Sequence, residues 1–210
     1  MADTAELDAL IIRNLEEIEQ GYQRITGDIE RRLDKEAAKL FEEAAEAAGW
    51  ATHATVLDDD FWLMKTDWQM EEGPPEEVDS YLVIRLEWDS KGPDVSWAQT
   101  FVGGQGSRLL LTIASDTYSD NKWLRFLKEN EPSDVIKRLI KASGFRFEPD
   151  NKTEPLAMPV RIDRDRLAQA FGGEIDFLDA LAPLATALRE VVRQEALLDK
   201  LAGLAREADA

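Results

Sequence analysis

Apolar residues recur near the start of the chain at spacings that alternate between four and three. This period predicts a long amphipathic helix over residues 5 to 48 with one narrow apolar seam. Glycine in a helix interior costs about 1 kcal/mol relative to alanine, so any break is expected at Thr26-Gly27-Asp28, and Gly49 ends the helix. The seam consists of Ile11, Leu15, Ile18, Tyr22, Ile25 and Ile29.

The period changes to two between Trp50 and Ser115, which predicts β-strands. Leu82, Ile84 and Leu86 alternate with residues that face the other side of the sheet. A second run around Leu109 does the same, residues 97 to 101 resemble a further strand, and two more are expected at 50 to 57 and 61 to 69. Short connections favour an antiparallel meander of four to five strands, because parallel neighbours need crossovers of about a dozen residues.

The remainder of the chain, residues 117 to 210, reads as helical. Ser119 or Asp120 begins one helix, Asp163 begins another that ends at Gly172-Gly173, and Pro183 marks a kink or first turn of the last. The segment from 145 to 160 contains three prolines and is predicted to be a loop with at most a short edge strand. We therefore expect one α+β domain: a helix over 1–49, a sheet over 50–116 and helices over 117–210.

The two terminal helices both carry long apolar rows that need partners. The simplest arrangement packs them antiparallel within one chain. The alternative is a homodimeric coiled coil through the N-terminal helix, which would have barely three heptads.

Charge and composition narrow the functional classes. The chain has 210 residues, with 43 acidic against 25 basic ones, and a net charge of −18. Direct binding to nucleic acid is not expected at this charge. There is no cysteine, so disulfides and thiolate chemistry are excluded. No apolar run reaches about 18 residues and the first residues lack signal-peptide character, so we expect a cytoplasmic protein without membrane contact.

Three motifs invite a chemical interpretation that their context does not support. His53 is the single histidine and lies in an apparent strand, where it is an ordinary half-exposed residue. Ser119 and Lys122 have a Ser-x-x-Lys spacing, but a serine that opens a helix usually caps it. Gly103 to Gly106 is rich in glycine, yet it has strands on both sides and lacks the lysine of a phosphate-binding loop. We expect no cofactor.

A carboxylate and lysine set carries the enzymatic alternative. Asp60, Glu87 and Asp89 with Lys91 loosely echo Mg²⁺-dependent nucleases or phosphohydrolases, in which two acids hold the metal and a lysine steadies the attacking water or phosphate. The residues around Asp89 are turn formers, and acids are common at turns.

Acidic residues also cluster on loops at the ends of the predicted strands, close to aromatic residues. The cluster predicts an intracellular interaction or regulatory protein, not an enzyme, that docks on a partner with a basic surface and could imitate nucleic acid. The alternative is that the charge serves solubility alone. The expected binding residues are Asp58, Asp59, Asp60, Glu71, Glu72, Glu76, Glu77 and Asp79, with Trp62 and Trp68 as anchors.

Overall fold

A computed structural model describes residues 4–55, 60–89, 98, 101–103, 108–130 and 134–210. Within these ranges the fold is α+β, as predicted: one antiparallel sheet is flanked by helices, with long helical segments at both ends. No helix in the described ranges combines the length and apolar character that a bilayer crossing requires.

The N-terminal helical segment is interrupted at Asn14, which has φ −118° and ψ 26°, and its pitch changes at a π-helical turn. It comprises α1 (Thr4–Arg13), α2 (Leu15–Arg24), a π-helical turn (Ile25–Ile29) and α3 (Glu30–Ala48). The π-helical turn occupies the position at which a break was expected, and the chain passes through it without leaving the helix. Gly49 ends α3 in the left-handed conformation at φ 68°, which a residue with a side chain adopts only at a cost.

The described residues form one sheet of six strands: β1 (Ala51–Thr55), β2 (Asp60–Met64), β3 (Val83–Asp89), β4 (Arg108–Ala114), β5 (Arg146–Phe147) and β6 (Leu156–Val160). Their order in the sheet is β1-β2-β3-β4-β6-β5, and every neighbouring pair is antiparallel. The first four form the predicted meander. The last two come from the C-terminal region, so the sheet extends beyond residue 116.

One local prediction was right only in part: β5 is the short edge strand expected within residues 145 to 160, but a second strand was not expected there. The proline-rich segment from 145 to 160 supplies both β5 and β6, and β6 lies next to β4 inside the sheet. Strand β5 pairs only with Leu156 and Ala157 of β6, so no strand pairs with Pro159 on that side of β6. The N–H group that proline lacks is therefore not needed for a hydrogen bond there. Another local prediction was wrong. The expected strand at 97–101 is absent at its described positions, since Ala98 and Phe101 are helical.

The C-terminal region is helical as expected, with its last helix divided into three. Asp163 caps α6 by accepting hydrogen bonds from the backbone of Asp165 and Arg166, and Pro183 stands in the first turn of α8. The helices are α4 (Asp120–Asn130), α5 (Asp134–Ser143), α6 (Arg164–Gly172), α7 (Phe177–Ala180), α8 (Ala182–Arg193) and α9 (Glu195–Asp209).

The apolar core lies between the sheet and the helices and extends from Leu33 to Ala205. Helix α3 packs on β1 and on α8, and the rings of Phe41 and Phe61 meet with centroids 5.8 Å apart. Leu184 and Leu188 of α8 and Leu198 and Leu201 of α9 are buried in this core. Residues 4 to 24, here called the N-terminal arm, contain no buried side chain. The arm therefore does not pair with the C-terminal helices.

Candidate functional site: an acidic groove

The loop between β2 and β3 folds back over the sheet and is tied at its base. A 3₁₀ turn (Thr66–Trp68) leads into it, and Gln69 then pairs with Ser80 across the base. The backbone N–H of Met70 donates to the carbonyl of Asp79 at 3.0 Å. Gly73 permits the tight closure, because a Cβ there would lie 2.6 Å from the side chain of Val78.

Residues 75 to 79 of this loop form one wall of a groove of about 250 Å³. The floor consists of buried apolar side chains from β2 and β3, namely Trp62, Met64 and Val83. The rim is polar and carries five carboxylates and one guanidinium. This acidic groove is lined by Asp60, Trp62, Met64, Pro75, Glu76, Glu77, Val78, Asp79, Val83, Arg85 and Asp116.

The single guanidinium of the groove is already paired. Arg85 donates from Nη2 to Oδ1 of Asp116, and Ser80 donates from Oγ to Oδ2 of the same carboxylate at 2.8 Å. The other four carboxylates, those of Asp60, Glu76, Glu77 and Asp79, are exposed and form no ion pair with any residue that the structure describes. The groove thus joins an apolar floor to about four uncompensated negative charges, which is an environment suited to an organic cation.

Five of the ten predicted binding residues come together in the acidic groove: Asp60, Trp62, Glu76, Glu77 and Asp79. Trp62 is 8% exposed and stacks on His53, with ring centroids 5.7 Å apart. Its surface therefore forms part of the floor. The predicted roles of these side chains in binding remain predictions.

The other five predicted residues lie elsewhere. Glu71 and Glu72 are exposed on the same loop but do not line the groove. Trp68 is 1% exposed, packs against Trp50 and donates its Nε1–H to Asp199, so it belongs to the core and does not line the groove. Asp58 and Asp59 lie outside the described residues.

The carboxylate and lysine set of the enzymatic alternative is brought together only in part. Trp62 lies opposite Arg85 in the β2–β3 register, which places Asp60 and Glu87 beside each other two residues further along. Asp89 ends β3, but its side chain lies outside the described part of the structure, as does Lys91.

Glu87 has a perturbed environment. Burial raises the pKa of its carboxyl above the ordinary value, the charges of Glu154 and Asp60 add to this, and Arg85 opposes it. A carboxyl that holds its proton more tightly is a weaker metal ligand, because metal binding requires the deprotonated form. No group of three or more His, Cys, Asp or Glu side chains suited to a metal occurs among the described residues.

The remaining motifs have structural roles in the described residues. The carbonyl of Ser119 accepts the first hydrogen bond of α4 from the N–H of Trp123 at 2.8 Å. Lys122 contacts the carboxylate of Asp209 at 2.7 Å and lies over the ring of Tyr118, so its ammonium has partners other than a serine hydroxyl. Gly103 has φ 65°, as a turn requires, while 104–106 lie outside the described residues.

About half of the residues that line the groove were not predicted from the sequence. Met64, Val83 and Arg85 alternate within predicted strands, which indicated a shared face but not that a loop covers it. Asp116 follows β4 and carried no signal of its own, because its approach to Arg85 depends on the pairing of β3 with β4. The pattern of the sequence gives no indication of how far residues 75 to 79 fold over the sheet.

No known protein family, curated protein or solved structure matches the chain.

Proposed function

We propose that this protein is a non-enzymatic interaction module that docks on a protein with a basic surface through the acidic groove. One observation carries the proposal: four exposed carboxylates without described ion-pair partners surround a floor formed by Trp62, Met64 and Val83. Carboxylates placed for solubility alone have no need of an adjoining apolar floor.

A lysine or arginine side chain has the chemistry that fits this groove. Its aliphatic stem can lie along the apolar floor while its cationic head reaches the carboxylates of the rim. Each exposed ion pair contributes only about 0 to 1 kcal/mol. The affinity therefore depends on desolvating the stem, and the charge mainly accelerates association and selects the partner.

Imitation of nucleic acid is a specific form of this proposal. The row of carboxylates presents negative charge to a partner as phosphates do, and the chain as a whole carries −18. A partner whose basic surface normally binds nucleic acid would then be blocked by this protein. Regulation by occupancy of that surface needs no catalytic residue.

Two matched double variants test the proposal. Glu76→Gln/Glu77→Gln removes two charges from the groove, whereas Glu71→Gln/Glu72→Gln removes the same charge from exposed positions of the same loop. The immobilised 210-residue chain is used to capture partners from extracts of its own cells at about 50 mM and about 500 mM salt, since screening weakens contacts between exposed charges.

The proposal predicts that a basic protein is retained at low salt, is released at high salt and is lost from the groove variant only. Equal retention by both variants would show that overall charge, not the groove, attracts the protein. Absence of a basic protein from every capture would also contradict the proposal.

A further inference from the structure

A second pocket lies beside β4, β5 and β6, on the half of the sheet that does not carry the acidic groove. Its volume of about 420 Å³ falls within the range of about 300–1,000 Å³ that is usual for small-molecule sites. Three arginines line it, namely Arg108, Arg146 and Arg161, and no Asp or Glu is among the described residues of its lining. It is called the arginine pocket below.

The register of the sheet brings these arginines together. Leu110 of β4 pairs with Pro159 of β6, and Arg146 of β5 pairs with residue 157, two positions before Pro159. Side chains alternate between the two faces of a sheet, and paired residues share a face. Arg108, two positions before Leu110, therefore lies on the same face as Arg146. Arg161 directly follows β6 and lines the pocket with them.

Two of the three guanidinium groups are uncompensated within the described residues. Arg108 contacts the carboxylate of Glu148 at 3.3 Å. Arg146 and Arg161 are exposed, and neither side chain forms an ion pair or a hydrogen bond with any residue that the structure describes. Two such cations in one concavity, in a chain whose net charge is −18, form an environment suited to an anion.

Apolar side chains supply most of the remaining lining. Phe101 and Leu109 are each 1% exposed, Val160 is 6% exposed and Ile162 is 7% exposed. Because these side chains belong to the packed core, the wall that they form does not depend on a ligand being present. An organic group can lie against this wall while an anionic group contacts the arginines.

The number of uncompensated guanidinium groups indicates which anion fits. A phosphate monoester carries a charge of about −1.5 to −2 at pH 7 and offers three acceptor oxygens. It can therefore accept hydrogen bonds from both Arg146 and Arg161, since each guanidinium donates two parallel bonds to phosphate oxygens. A single carboxylate has one charge and two oxygens, so it would leave one of the two guanidinium charges without a counter-charge.

We propose that the arginine pocket binds a small phosphate monoester, with the phosphate at Arg146 and Arg161 and the organic group against the apolar wall. Arg108, which already has a carboxylate partner, adds a third positive charge to the lining. This site is separate from the acidic groove, so the proposal does not depend on the function proposed for that groove.

Phenyl phosphate is the probe, because it joins a doubly charged head group to a small apolar ring. Isothermal titration calorimetry of the 210-residue chain in phosphate-free buffer should give a dissociation constant below about 1 mM. The amide signals of Val160 and Ile162 should shift with the same constant. Inorganic phosphate lacks the ring and benzoate lacks the second charge, so each should bind about tenfold more weakly or less tightly still.

Three single variants test the residues. Arg146→Gln and Arg161→Gln each remove one guanidinium from the pocket, and Arg125→Gln removes an exposed guanidinium from α4 as the matched control. All three side chains are exposed, so the variants should fold as the parent does, which thermal unfolding checks. The affinity for phenyl phosphate should fall about tenfold or more in the two pocket variants and change by less than about twofold in the control.

Three outcomes would overturn the proposal. The first is a parent chain that shows no saturable binding of phenyl phosphate. The second is an equal loss of affinity in Arg125→Gln and in the two pocket variants, which would assign the binding to overall charge. The third is an affinity for benzoate or for inorganic phosphate that equals the affinity for phenyl phosphate.

Discussion

The indole nitrogen of Trp68 donates a hydrogen bond of 2.8 Å to the carboxylate of Asp199. The same carboxylate accepts from Lys65 at 3.1 Å, and Arg206 donates to the carbonyl of Asp67 at 2.6 Å. These contacts hold the 3₁₀ turn at residues 66 to 68, which leads into the loop between β2 and β3, against α9. The position of the groove wall therefore depends on the C-terminal helix.

Replacing Asp199 should destabilise the fold. Asp199→Ala leaves the buried Nε1–H of Trp68 without an acceptor, which costs about 1–3 kcal/mol. Asp67→Ala is the control, since the Asp67 side chain is 77% exposed and lies 3.7 Å from Lys65; it should cost less than about 0.5 kcal/mol. Urea unfolding measures both, and equal effects would mean that the Trp68 contact adds no stability.

Glu87 gives a prediction about pH. Its pKa is raised chiefly by burial, so the folded state binds its proton more tightly than the unfolded state. The ionised carboxylate therefore lowers the free energy of unfolding at neutral pH. This loss of stability disappears as the pH falls below the pKa of the Glu87 carboxyl in the unfolded state, which is about 4.3.

Glu87→Gln should consequently be more stable than the parent at pH 7 and equal to it near pH 3. Urea unfolding over this pH range tests the difference, with the exposed Glu42→Gln as a control that should follow the parent throughout. A Glu87→Gln variant that is less stable at pH 7 would show that the carboxylate has a stabilising partner.

The N-terminal cap of α6 gives a prediction about local stability. Asp163 accepts from the N–H groups of Asp165 and Arg166 at 2.9 and 3.0 Å. Asp163→Ala should lower the free energy of unfolding by about 0.5–2 kcal/mol. Asp165→Ala removes a carboxylate from the same turn without removing the cap, so a loss as large as that of Asp163→Ala would assign the effect to charge.

The arm and the core should respond differently to truncation of an apolar side chain. Phe41 is fully buried against Phe61, so Phe41→Ala should cost about 3–5 kcal/mol. Ile18→Ala should change the free energy of unfolding by less than about 0.5 kcal/mol, because the Ile18 side chain is 46% exposed. Thermal unfolding at low protein concentration makes the comparison, and a large loss in Ile18→Ala would mean that the arm packs on the body.

The order of helices and strands could be predicted wherever one face of an element is buried. The alternation at Leu82, Ile84 and Leu86 and the cap at Asp163 identified β3 and α6, because these signals are local. The strand at Leu156–Val160 was not predicted, since Pro159 suits a strand only where one edge has no partner, and strand order is set by distant parts of the chain. The exposure of the arm was not predicted either, because its seam resembles that of a buried helix.

The negative charge of the acidic groove could be predicted from the sequence, but the shape of the groove could not. Glu76, Glu77 and Asp79 were identified as an acidic loop, while the path of that loop depends on the pairing of Gln69 with Ser80. The two expected anchors also differ: Trp62 lies at the groove and Trp68 in the core. Period alone does not distinguish them, because Trp62 lies in β2, whereas the turn at residues 66 to 68 packs on α9 and buries Trp68.

A nuclear magnetic resonance titration tests the acidic groove most directly. The probe is a short peptide of alternating arginine and alanine, added to the ¹⁵N-labelled parent and to the two matched double variants. The six indole N–H signals, assigned by Trp→Phe replacement, report on the tryptophans separately. If the peptide docks in the acidic groove, we expect saturable shifts at Trp62 and at the amides of residues 76 to 79, with little change at Trp68.

These shifts should persist in Glu71→Gln/Glu72→Gln and weaken at least fivefold in affinity in Glu76→Gln/Glu77→Gln. Shifts spread evenly over exposed acids around the molecule, with Trp62 unchanged, would contradict the account and leave the acidic groove without a role in binding.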